Sequence, residues 1–85
     1  MLDTEIYEEL KSICKQLDIK IIYEANGQQK GFALVNGRKH IVINKFYSLE
    51  QKIKSLSDAM KNTDLDGIFI KPAIRSYIYD ISIGF

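Results

Sequence analysis

The stretch that most constrains this chain runs from Ile41 to Lys61. Ile41-Val42-Ile43-Asn44 is a short β-branched run and reads as a strand. Lys45-Phe46-Tyr47 leads from it to Ser48-Leu49-Glu50-Gln51, a Ser-x-x-Gln capping box that satisfies two orphaned amides at a helix start. Leu49, Ile53, Leu56 and Met60 then form one apolar helical stripe. A sheet and an amphipathic helix so closely joined bury their apolar faces against each other, which points to a layered α+β domain.

The rest of the chain extends that frame. Ile6, Leu10, Ile13, Cys14 and Leu17 make a second helical stripe near the N-terminus, with Asp3 expected as N-cap and Asp18 as its end. Ile19 to Tyr23 and Gly31 to Val35 read as strands. Asn26-Gly27 marks a turn between them. Asn36-Gly37 is a hairpin signal that joins Gly31–Val35 to a strand over Arg38–Asn44. These three strands are expected to form an antiparallel meander. Asp66-Gly67 marks a turn, Ile68-Phe69-Ile70 a short buried strand or extended link, and Pro72 the first residue of a third helix. The expected order is α-β-β-β-α-(β)-α, a three- to four-stranded antiparallel meander packed by helices. Ile22 and Val42 point opposite to Ile21 and Ile43, so the sheet carries apolar residues on both faces.

Eighty-five residues correspond to one domain over 1–85. A chain of this length builds a thin core, which self-association can supplement. Its 46% hydrophobic and 27% charged content is that of a folded chain, not a disordered one. One cysteine, Cys14, cannot form an internal disulfide, and the acidic start Asp3-Thr4-Glu5 lacks the features of a secretory signal. No apolar run approaches a membrane span. A cytoplasmic setting without membrane contact is therefore expected.

Candidate chemistry is sparse. His40 is the only histidine and has no second histidine or cysteine partner for a metal. Cys14 lies on an apolar stripe, where a nucleophile would lack access. Asp64-Leu65-Asp66-Gly67 lacks the further ligands of a calcium loop. No cofactor is expected, and the chain is read as a non-enzyme. Two surfaces remain. Residues 30–54 hold six bases (Lys30, Arg38, Lys39, Lys45, Lys52, Lys54) against Glu50. Of these, Lys30, Arg38, Lys39, Lys45 and Lys54, near Phe46 and Tyr47, form a candidate nucleic-acid surface. Tyr77, Ile81, Ile83 and Phe85 form a candidate partner surface at the C-terminus, suited to a second copy or to another protein.

The strand Ile41-Val42-Ile43-Asn44 followed by Ser48-Leu49-Glu50-Gln51 resembles the approach to the active helix of ImmA/IrrE-type metallopeptidases. The resemblance spans roughly residues 1–62. In that family the helix delivers His-Glu-x-x-His. Here Ser57 and Lys61 stand at the two histidine positions and Asp58 at the glutamate position. Two imidazoles at i and i+4 are what lets one helix face hold one metal ion. The resemblance thus implies a relative without the metal centre. The expected function is protein–protein binding or self-association, with nucleic-acid binding as the alternative.

Overall fold

A computed structural model describes residues 2–25, 31–61 and 63–82. Its elements are α1 (Asp3–Gln16), β1 (Lys20–Glu24), β2 (Gly31–Val35), β3 (Arg38–Asn44), α2 (Leu49–Lys61) and α3 (Pro72–Ser82). The fold is α+β. The Asn26-Gly27 turn lies outside the described residues.

The sheet corrects the expected meander. Its strand order is β1-β3-β2, with β3 central. β1 runs parallel to β3, from Lys20 opposite His40 to Glu24 opposite Asn44. β2 runs antiparallel to β3, from Gly31 opposite Val42 to Val35 opposite Arg38. The sheet is therefore mixed, not purely antiparallel. The physical reason lies in β3 itself. Ile41, Val42 and Ile43 are consecutive and all buried, so this strand needs cover on both faces and pairing on both edges. β1 has only partly buried Ile21 and Ile22 and ends in Lys20 and Glu24, a composition suited to an edge. No fourth strand is present among the described residues. Ile68–Ile70 is an irregular link, bent at Ile68, that buries Ile70 and exposes Phe69.

Local signals set the element ends. At α2, Ser48 N–H donates to Gln51 Oε1 (3.0 Å) and Gln51 N–H donates to Ser48 Oγ (3.2 Å), the reciprocal box expected from sequence. At α1 the N-cap is Leu2, one residue before the expected Asp3. A leucine side chain accepts no hydrogen bond, so only half a box forms: Leu2 N–H donates to Glu5 Oε1 at 3.4 Å. The end of α1 is a Schellman closure, with Ile19 N–H donating to Cys14 O and Asp18 N–H to Lys15 O. Asp18 holds the left-handed position at φ 58°. Asn36 (φ 54°) and Gly37 (φ 77°) are both left-handed, which makes the β2–β3 connection a type I′ turn.

Helix α1 packs against β1 and α2 against β2 and β3, while α3 packs on α1 and α2. Leu10 and Ile13 from α1, Ile41 and Ile43 from β3, Ile53, Leu56 and Met60 from α2, and Ile74 and Ile78 from α3 form one buried cluster. The Tyr7 and Tyr23 hydroxyls hydrogen-bond, tying α1 to the end of β1. Burial, then that bond, pushes the Tyr7 phenol pKa up. Lys71 of the link pairs with Glu9 of α1 at 2.9 Å and so anchors the start of α3. His40 and Val42, on the opposite sheet face, are buried outside this cluster.

Candidate functional site

The strand order creates the most distinctive surface. β2 is an edge strand, and among the described residues no strand pairs with its outer side. Its five residues, Gly31-Phe32-Ala33-Leu34-Val35, carry no charge, no proline and no polar side chain. Edge strands normally carry a charge, a proline or a bulge that blocks further pairing. Leu34 is 74% exposed, Val35 44% and Phe32 40%. Phe32 sits opposite core residue Ile41, so Phe32 and Leu34 lie on the helix-covered face of the sheet but extend past the helices.

The turn fixes which backbone groups are free. A two-residue I′ turn is closed by a pair that exchanges both hydrogen bonds, here Val35 and Arg38. Alternation along the ladder then points the amides and carbonyls of Ala33 and Val35 toward β3. Those of Phe32 and Leu34 point outward. The edge thus offers two donors and two acceptors, each flanked by an exposed apolar side chain.

The other edge is different. β1 begins with Lys20 and ends with Glu24, its apolar Ile21 and Ile22 are half-buried, and its Tyr23 hydroxyl is engaged by Tyr7.

The basic residues do not converge. Arg38 and Lys39 begin β3, whereas Lys45 follows its end, about 20 Å away along a strand of this length. Arg38 Nη2 bonds both carboxylate oxygens of Asp18, at 3.1 and 3.2 Å. A cleft of about 350 Å³ lined by Lys20, Val35, Asn36, Arg38 and His40 opens on the sheet face opposite the helices. The His40 Nδ1 lies 2.9 Å from the Arg38 carbonyl oxygen. Lys54 lines a separate groove with Tyr47, Gln51, Ser55 and Asp58. Lys30 lies outside the described residues.

Of the C-terminal surface, Tyr77 is half-buried against the core cluster. Burial, then the negative charges of Asp3 and Glu50, pushes its phenol pKa up. Ile81 belongs to α3, and Ile83 and Phe85 lie outside the described residues.

Ser57, Asp58 and Lys61 differ in exposure. Ser57 is fully buried, whereas Asp58 and Lys61 are exposed. Among the described residues, no group of three His, Cys, Asp or Glu side chains is placed to hold a metal ion. Cys14 is buried, and burial pushes its thiol pKa up to about 11, which keeps it protonated and unreactive.

Among the described residues, Ser57 Oγ has no hydrogen-bond partner despite complete burial. An unsatisfied buried hydroxyl costs about 1–3 kcal/mol, and serine is also a weaker helix former than alanine. Ser57→Ala is therefore expected to stabilise the protein by about 1–2 kcal/mol, read as a rise of several degrees in thermal midpoint. An unchanged or lowered midpoint would mean that the hydroxyl finds a partner in solution.

The sequence reading missed Phe32, Leu34 and Val35 as surface residues. In a meander β2 would be central, and a central strand needs no charge. The missed signal was the contrast between the uncharged β2 and the charged ends of β1 and β3. In comparisons with protein families, curated proteins and solved structures, the chain matches none of them.

Proposed function

We propose that this protein is a non-catalytic cytoplasmic binding domain that acts by protein–protein contact through the outer edge of β2. The observation that carries this reading is an uncharged edge strand with exposed Phe32, Leu34 and Val35 and outward backbone groups at Phe32 and Leu34. Such an edge recognises an extended polypeptide: main-chain hydrogen bonds hold the added strand, and alternate side chains read it. The inert, buried Cys14 supports the cytoplasmic setting. Nucleic-acid binding has less support, because Arg38 and Lys39 are separated from Lys45 by the length of β3 and Arg38 is engaged by Asp18.

Panning a random peptide library against the purified protein tests this reading, with Leu34→Pro as the control. Proline removes the outward donor of Leu34 but no bond to β3, and prolines are accommodated on strand edges in that orientation. The selected peptides are expected to bind the wild type and to lose about tenfold or more in affinity for Leu34→Pro, the effect of about one lost hydrogen bond with its flanking contact. Equal binding to both proteins would reject the β2 edge. Binding of a single-stranded oligonucleotide, with no peptide selected, would favour the nucleic-acid reading.

A further inference from the structure

Resting on the reading of β2 as a binding edge, we propose that its partner is β2 of a second copy, paired antiparallel about a two-fold axis through Ala33. Three observations single out this occupant. The first is the hydrogen-bond frame. Phe32 and Leu34 are the residues whose backbone groups point outward. A two-fold at Ala33 places Phe32 of one copy opposite Leu34 of the other, so both outward groups of each residue are used, with four bonds in all. A one-residue slip sets outward groups against inward ones. A two-residue slip brings turn residue Asn36 opposite Phe32 or loses a pair at the other end. The Ala33-centred register alone pairs all five residues of both strands.

The second is side-chain fit. On the helix-covered face the two exposed large groups, Phe32 and Leu34, meet each other across the axis. On the other face Val35 lies opposite Gly31, which has no side chain to oppose it. The third is charge. β2 is uncharged, so self-pairing buries none. The same surface patch serves both copies, as a two-fold interface requires. The product is a continuous six-stranded sheet with β2 at its centre. Five residues a side is small beside the 20–30 or so of a standard interface, so the dimer is expected to be weak and concentration-dependent.

The test combines sedimentation with a cysteine placed on the axis. In the proposed register Ala33 faces its own copy at a non-hydrogen-bonded site, where the Cα atoms approach to about 4.5 Å, within disulfide range. Cys14 is buried, so Ala33→Cys supplies the accessible thiol. Under mild oxidation Ala33→Cys is expected to cross-link rapidly to a covalent dimer. Val35→Cys, which faces Gly31 of the other copy, should cross-link at least tenfold more slowly. The wild type is expected to shift from monomer to dimer between low micromolar and near-millimolar concentration. Leu34→Pro should remain monomeric with an unchanged circular dichroism spectrum. Leu34→Lys gives the same readout if the proline variant does not fold. A monomer at every concentration, or equal cross-linking at positions 33 and 35, overturns the two-fold pairing. Species that grow beyond dimer overturn it too, since they indicate β2 pairing with β1 of the next copy. The peptide-binding reading fails separately, if no peptide is selected or if Leu34→Pro leaves peptide binding unchanged.

Discussion

Leu56→Ala is expected to destabilise the protein by about 3–5 kcal/mol. Leu56 is fully buried on α2, in the cluster that joins residues of all three helices to Ile41 and Ile43 of β3. Truncation removes buried methyl groups and leaves a cavity that the surrounding core cannot fully collapse to fill. A chain of 85 residues has a total stability of only about 4–13 kcal/mol, so the loss is a large share of it. Leu34→Ala makes the same chemical change at a residue that is 74% exposed, and is expected to alter stability by less than about 0.5 kcal/mol. Denaturant titrations of the two variants side by side check this. Equal effects would mean that β2 is covered within the monomer or that α2 does not form the core.

Gly37→Val carries the second large effect. Gly37 has φ 77°, in the left-handed region, and an added Cβ would meet no atom within 4 Å. The cost is therefore backbone strain alone. A β-branched residue there is expected to cost about 1–2 kcal/mol or more, because its Cβ crowds the adjacent carbonyl. The consequence extends past the turn. The same I′ geometry sets Val35 opposite Arg38 and so decides which amides of β2 face outward. Gly37→Val is thus expected to weaken self-association as well as to lower the thermal midpoint. Gly37→Asn, whose side chain tolerates the left-handed region, should retain most of both. An unchanged midpoint for the valine variant would contradict the turn type.

These cases show what was legible in the sequence. The Asn36-Gly37 turn, the Ser48–Gln51 capping box and Pro72 at the start of α3 are local signals, each complete within a few residues, and each appears where the sequence placed it. The stripes of α1 and α2 were legible for the same reason. Strand order was not. Whether β3 takes β1 or β2 as a neighbour, or both, depends on how much apolar surface each strand must cover, and that is settled by packing between distant segments. The run Ile41-Val42-Ile43 held the clue, since a strand apolar on both faces belongs at the centre of a sheet. The N-cap of α1 moved by one residue because Glu5 reached back to the amide of Leu2, a choice that Asp3 at the next position obscured. The candidate binding edge follows from the strand order.

The most direct measurement is residue-resolved amide hydrogen exchange along β2 as a function of protein concentration. In dilute solution, Ala33 and Val35 are expected to exchange slowly, being bonded to β3, while Phe32 and Leu34 exchange quickly from the open edge. At high concentration, Phe32 and Leu34 should become protected with no change at Ala33. Protection of Phe32 and Leu34 already at the lowest concentration would show that the edge is closed within the monomer. Fast exchange at both residues at every concentration would show that the edge does not pair with a second copy. Either result contradicts the self-pairing edge.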